Sequence, residues 1–481
     1  MDTSYTDLIV DFTLNTNFAD VPDQAFKVAR EAMFDCIGVT LAGAVEPAGR
    51  IGAEWARSCA GAAQSTIWGH GFKTAADDAA LVNGTAAHAL DYDDVTWGLV
   101  GHPSVSLVPS LVALGELTGA SGKDVLLCYA VGFEVMAKIG RTTQPRHSLD
   151  GRWHATSTIG SFGVTAACCR LLGLDAKQTG YALGIAYSMT SGNVSNFGTM
   201  TKPFHAGLAA RNGIQAAQWA RLGFTSVPHP FDGPIKFQEV YSRGLPCDMS
   251  PIEELGKEYE LITRAVVVKP YPCCVSAHTG IDAAKRVREE EKVHLDDIEK
   301  IEIGVVNYTS DKLSYGRPKT GLEGKFSMQY TVARMIQDGK LTLETFTDQA
   351  VNDPKIQAFM PKIAMYHDEE AERAWRIGSR PADMHVTLKD GRKINKLVKI
   401  SKGNKEVPLT SDELRDKFRD CARLCLDDKS VEQAIAQIED IDNLKKISEL
   451  ARTLSHRREG RRGPSLAKSS GTLELNARAE S

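Results

Sequence analysis

The segment His88-Ala-Leu-Asp91-Tyr-Asp93-Asp94-Val-Thr96-Trp-Gly-Leu-Val-Gly-His102-Pro-Ser104 carries three carboxylates and two imidazoles within fifteen residues, between small apolar flanks. A buried charge without a partner is expensive. Such a stretch is therefore either a polar network tying helices together or the lining of a cavity where charge is used. Asp93 and Asp94 could cap the helix that opens at Ser104 and satisfy its free N–H groups. His102 stands just before that start, where the helix N-terminus lowers imidazole basicity and favours a neutral acid–base group.

Four more clusters have the same character. In Gly151-Arg-Trp-His154-Ala-Thr156-Ser157-Thr158, His154 precedes a helix of small residues, and a satisfied core histidine is the competing reading. In Asn196-Phe-Gly-Thr199-Met-Thr201-Lys202-Pro203-Phe-His205-Ala-Gly207, Lys202 adjoins an almost charge-free helix. Lysines seldom lie buried without an anion to meet. In Val266-Val-Val-Lys269-Pro-Tyr271-Pro-Cys273-Cys274-Val-Ser-Ala-His278, Lys269 stands where the sequence changes character, and clefts form at such junctions. A linker lysine facing water is the alternative there. In Lys325-Phe-Ser327-Met-Gln-Tyr330, Tyr330 falls on a helix whose spacing alone would make it core.

Together these clusters supply two lysines, two histidines, an aspartate and a tyrosine. No GxGxxG follows a strand, and neither GxxxxGK[ST] nor HExxH occurs, so neither a cofactor nor a metal is expected. Two cations beside neutral acid–base groups suit a small substrate with several carboxylates, where a proton moves at the carbon next to a carboxylate. A rival reading makes His88, Asp91, Asp93 and His102 ligands of a divalent ion in a hydrolase.

The elements that must position these groups fall into two kinds. Up to about residue 265 the chain reads as helix after helix: one opens at Val21-Pro22-Asp23, and others span 104–119, 124–140, 156–173, 175–192 and 205–223. The 104–119 helix is apolar on every side and so expected to be buried. From Lys269 the pattern mixes. Ile298-Glu-Lys-Ile301-Glu-Ile303 alternates as a strand, and Met384 to Ile394 reads as a hairpin turning at Asp390-Gly391. Helical periodicity returns over 410–454, expected to pack back on the first block. The fold class is mainly α: a large all-helical domain (1–266 and 405–455) plus a smaller α+β lid domain (267–404). The basic tail 456–481 has little to bury and is expected to be disordered.

At 481 residues, two or three domains are expected, with 42% hydrophobic and 25% charged residues in the ordinary globular range. Fifty-seven basic against 61 acidic residues leave a charge of −4, with no field to draw nucleic acid or a membrane surface. Ten cysteines with no disulfide-like spacing, and a start without a basic or apolar leader, point to a cytoplasmic protein.

The five motifs, in this order, resemble the MmgE/PrpD family, which includes 2-methylcitrate dehydratase, cis-aconitate decarboxylase and iminodisuccinate epimerase. The similarity runs from about residue 5 to about residue 450. It implies a cofactor-independent lyase, a dehydratase or decarboxylase of a small di- or tricarboxylate, usually a homodimer with its site between two domains. It also implies catalytic roles for Asp91, His102, His154, Lys269 and Tyr330, and substrate contacts from Lys202, Lys269, Thr96 and His278. Asp91 would orient an imidazole. An epimerase of a dicarboxylate such as iminodisuccinate, or a non-catalytic polycarboxylate-binding homologue, are the alternatives. Two departures bear on substrate choice: Val95 replaces the threonine of cis-aconitate decarboxylating relatives, and His147-Ser148-Leu149-Asp150 replaces a loop that carries tyrosine in many members.

Overall fold

Polar residues placed just ahead of apolar runs start the helices. Ser121 and Asp124 form a reciprocal capping box that opens Gly122–Thr143, and Asp175 with Gln178 does the same for Ala176–Met189. The computed structural model describes residues 4–374 and 380–455; the expectation for 456–481 lies outside these residues. The molecule is 59% helix and 9% strand, mainly α with a smaller α+β region.

One hydrophobic core runs from Ile9 to Val268 and is completed by Phe418 to Leu454, so the C-terminal helices return to the first block. Its centre is Ser104–Thr118, buried from Ser104 through Gly115 and stopped by Gly119 in the left-handed region. Around it pack Ala76–His88, Ala155–Leu171 and Thr201–Arg221. The approach of the first and third of these requires glycine: a Cβ on Gly207 would lie 2.2 Å from the Leu81 carbonyl oxygen. That close packing brings the end of the His88 helix beside Lys202 and His205.

Expected helices therefore recur with shifted ends. The first block is not purely helical, however. Strands β1 (Ser65–Ile67) and β2 (Phe72–Thr74) pair antiparallel within it. Three-residue strands leave no periodicity to read.

A second core spans Tyr271 to Val398. Its sheet comprises β3 (Ile298–Val305), β4 (Ile363–His367), β5 (Ala382–Leu388) and β6 (Lys393–Val398), in the order β4-β3-β5-β6. β3 runs parallel to β4 and antiparallel to β5, and Gly391 makes the β5–β6 turn at φ 89°. Helices His278–Glu291 and Met328–Asp338 pack together, the first against β5 and β6 and the second against β4. β4 was not expected, because only Ile363 of this edge strand is buried. Among the described residues no helix is long and apolar enough to cross a membrane.

The crossover from one core to the other falls between Val268 and Tyr271. Lys269 stands at that point.

Candidate active site

Past His88 the chain turns at Asp91, whose φ of 51° is left-handed, a conformation that aspartate tolerates better than most residues. Val95 then pairs antiparallel with Val267, through N–H···O contacts of 3.0 and 2.7 Å. This short ladder carries Lys269 to Asp91. Its Nζ donates to the Asp91 carbonyl (2.8 Å) and lies 2.5 Å from Oδ1. Lys202, at the start of its helix, places Nζ 2.9 Å from the other carboxylate oxygen. Burial opposes the charge of Asp91, but Lys202, Lys269 and two imidazoles outweigh it and hold the carboxyl well below the usual range. For Lys269 burial also acts against charge, yet Asp91 and Asp93 raise its pKa.

His102 Nδ1 donates to the Asp94 carbonyl at 2.9 Å and lies 2.7 Å from Asp93 Oδ2. Both neighbours only accept, so Nδ1 carries the proton. In the neutral ring the lone pair is then on Nε2, 4.0 Å from Asp91 Oδ1. Burial, with the lysines, keeps the His102 pKa below its ordinary value. His88 Nδ1 sits 2.9 Å from Asp93 Oδ1, and its ring lies 4.3 Å from that of His102. Asp93, not Asp91, is therefore the carboxylate that orients imidazoles.

His154 precedes Ala155–Leu171, and burial followed by Lys202 keeps it well below the usual histidine range. Its Nδ1 is 3.1 Å from His205 Nδ1, so one nitrogen donates and the other accepts. His154 Nε2 can thus be a donor or an acceptor. Of the two aspartates expected to cap the helix at Ser104, only Asp94 reaches it, accepting from the Ser104 N–H at 3.4 Å and from its Oγ at 2.5 Å, and burial pushes its carboxyl well above the ordinary range.

Asp91, His102, His154, Lys202 and Lys269 line one cleft with Val95, Trp97, Ser148, Phe197, Tyr308, Lys312 and Arg380 among others, about 540 Å³ including its mouth. Three expected contributors are elsewhere. Tyr330 is fully buried in the second core, its hydroxyl donating to the Thr345 carbonyl, because the helix Met328–Asp338 turns that face inward. Among the described residues the tyrosine of the cleft is Tyr308. Thr96 is buried beside the cleft, its backbone paired with Gly101, while Val95 faces the cavity. His278 is buried with Nε2 3.3 Å from the Cys273 carbonyl, holding the Pro-Cys-Cys turn. No motif marked Arg380 or Lys312. Lys312 ends the polar helix Asn307–Lys312 and Arg380 stands beside Pro381, so no local contrast singled them out.

Two more buried lysines hold the backbone of the site. Lys325 Nζ donates to the carbonyls of Leu90 and Pro272 (2.5 and 2.9 Å), and burial lowers its pKa to about 8. Lys417 Nζ donates to the carbonyls of Tyr92 and Lys269 (2.8 and 2.9 Å) and pairs with Asp35 at 2.6 Å. The residues flanking Asp91 and Lys269 are thereby pinned from both blocks.

His88, Asp91, Asp93 and His102 offer ligand atoms within 4.8 Å of one another, the clustering a divalent ion requires. Asp91 nevertheless has two ammonium groups within 2.9 Å, which a dication beside it would have to displace. Both Nδ1 atoms are already turned to Asp93. The carboxylates of the set are thus met by internal positive charges and imidazoles, while His88 Nε2 is buried without a hydrogen-bond partner.

A family model described as the MmgE/PrpD N-terminal domain matches residues 7–249, and one described as the MmgE/PrpD C-terminal domain matches residues 271–443. The chain is 29% identical over 445 residues to a cis-aconitate decarboxylase of Mus musculus, covering 90% of this chain and 89% of that protein. It is 28% identical over 442 residues to the Homo sapiens cis-aconitate decarboxylase, covering 90% of each. With a cis-aconitate decarboxylase of Aspergillus terreus it shares 24% identity over 458 residues, 91% of this chain and 93% of that protein.

Proposed function

Because the chain belongs to the MmgE/PrpD family, we propose that it is a lyase of a small di- or tricarboxylate of the 2-methylcitrate or cis-aconitate type. The observation that carries this reading is the charge of the cleft: Lys202, Lys269, Lys312 and Arg380 face one carboxylate, Asp91. An anion with two or three carboxylates balances that excess, whereas a neutral substrate leaves it uncompensated.

In this reading Lys202 and Lys269 take the carboxylate next to the reacting carbon and stabilise the charge that spreads onto it. In dehydration His102 Nε2 removes the proton from carbon. The electron pair expels the hydroxyl group of the adjacent carbon, which leaves as water with a proton from His154, and an alkene forms. In decarboxylation the C–C bond breaks, CO2 departs, and an imidazole protonates the carbon that keeps the pair. A positioned base of this kind contributes roughly 10²–10⁴-fold to the rate. Neither route calls on an organic cofactor.

The test is incubation with citrate, 2-methylcitrate, cis-aconitate and aspartate-like diacids while alkene absorbance and CO2 are followed. Turnover of one of them is expected, abolished by Lys269→Ala and by His154→Ala with the helical circular-dichroism signal intact. Unfolding of both variants, or neither turnover nor binding with any acid, refutes the reading. Epimerisation of a dicarboxylate is the second reading, supported by the two neutral imidazoles with centroids 6.4 Å apart, one to remove a proton and one to return it. Exchange at carbon in D2O without alkene or CO2 would select it.

A further inference from the structure

We propose that Arg380 is a second carboxylate anchor of the cleft, set apart from the Lys202–Asp91–Lys269 cluster; this rests on the reading of the cleft as a polycarboxylate site. Arg380 lies just before β5, its backbone carbonyl accepting from Thr279 Oγ1 at 2.7 Å. The side chain is 8% exposed and lines the same cleft. Its guanidinium carbon sits 4.1 Å from the Trp97 ring centroid and 4.5 Å from that of Tyr308. One ring comes from each core's segment, and Trp97 is itself held by Asn404 through Nε1 at 3.3 Å. The planar fork is therefore fixed before a ligand arrives.

What the guanidinium lacks is an anion. Nε and Nη1 are buried without a hydrogen-bond partner, and Arg380 belongs to none of the ion pairs among the described residues. Arg334, equally buried, pairs with Asp338 at 3.3 Å and Asp353 at 3.4 Å. A buried charge with two idle donors is costly, since each donor has given up water for nothing. A carboxylate meeting the guanidinium end-on, through Nη1 and Nη2, supplies one of the missing bonds and the counter-charge. Lys312, on the same wall, adds a second positive charge for it. A substrate with two or more carboxylates would thus be held at one end by the lysine pair and at the other by Arg380, which fixes the reacting carbon between them.

Isothermal titration with unreactive tricarballylate and its two truncated forms, glutarate and methylsuccinate, tests this on the wild type, Arg380→Gln and Arg380→Lys. Arg380→Gln should bind tricarballylate roughly 10- to 100-fold more weakly, as expected for a lost charged hydrogen-bond pair. The truncated acid that lacks the carboxylate held by Arg380 should bind wild type and Arg380→Gln equally, and Arg380→Lys should be intermediate for tricarballylate. Equal losses for all three acids, no loss for any, or failure of both variants to fold overturns the inference. A wild type that binds none of the three refutes the polycarboxylate reading itself. Binding by the wild type without dependence on Arg380 leaves that reading standing and sinks only this anchor.

Discussion

Asp93→Asn removes the charge that keeps His102 usable as a proton acceptor while preserving side-chain volume. The Asp93 oxygens lie 2.9 Å from His88 Nδ1 and 2.7 Å from His102 Nδ1, and the residue is fully buried. With charge centres about 4 Å apart and an effective dielectric of about 20, the carboxylate favours the His102 imidazolium by about 4 kcal/mol. Burial already lowers the His102 pKa, and without Asp93 it falls further. If about half of the lost basicity is felt in the transition state, kcat drops roughly 30-fold, and loss of ring orientation can bring the total to roughly 1,000-fold. Asp93 is not among the residues lining the cleft, so KM should stay within about threefold. The assay is steady-state turnover of the acid identified by the substrate panel, with deuterium incorporation at carbon followed by proton NMR. A base acts only when neutral, so activity is present above the His102 pKa and lost as pH falls through it. The wild-type acid limb should lie below 6.5, and that of the variant lower still. A kcat within about threefold of wild type, or a loss confined to KM, would refute the role of Asp93.

Lys325 has a folded pKa of about 8 against 10.5 for the free side chain. Between those values the unfolded chain holds a proton that the folded protein has released, so stability rises with pH across that window, by up to about 3 kcal/mol. Lys325→Met should abolish this rise, seen by comparing the urea midpoints of both proteins at about pH 7.5 and about pH 10. Lys417→Met leaves Asp35 buried without its partner and should cost about 3–5 kcal/mol in chemical denaturation, with a cost near zero pointing to solvent access that the burial of both residues denies. Tyr330→Phe should keep activity within about threefold and lose about 1 kcal/mol of stability, since its hydroxyl serves the Thr345 carbonyl in the second core. A hundredfold loss of turnover with an unchanged melt would restore Tyr330 to the chemistry.

Side chains that announce themselves by being too polar for their surroundings were legible. Asp91, His102, His154, Lys202 and Lys269 each sit in an otherwise small or apolar stretch, and all five meet in one cleft. The long helices were legible for the same reason, as repeating contrast between faces. What failed depended on direction rather than composition. Asp91 and Asp93 are two residues apart, and which one serves the imidazoles is decided by the left-handed turn at Asp91. Only a glycine there would have advertised that turn. Tyr308 and Tyr330 both lie on short helices of the smaller unit, and no spacing tells which looks into the cleft and which into the second core. Arg380 draws its surroundings from Trp97 and Tyr308, distant in sequence, so nothing local marked it. Strands β1, β2 and β4 bury too few residues in alternation to leave a pattern.

The lysine pair explains why the cleft needs a carboxylate of its own. Lys202 belongs to a helix of the first core, while Lys269 is the residue at which the chain passes into the second. Two ammonium groups converging from separate elements repel each other, and burial of Lys269 removes the water that would otherwise screen them. Asp91 bridges both, at 2.9 and 2.5 Å, and neutralises one of the two charges. The remaining positive charge is available to an anion without the cost of two unpaired ammonium groups side by side. Lys325 and Lys417 reach the flanking carbonyls from opposite blocks, so both cores help to hold the bridge. Neither block by itself contains a complete site, and its geometry is set by the docking of one core on the other.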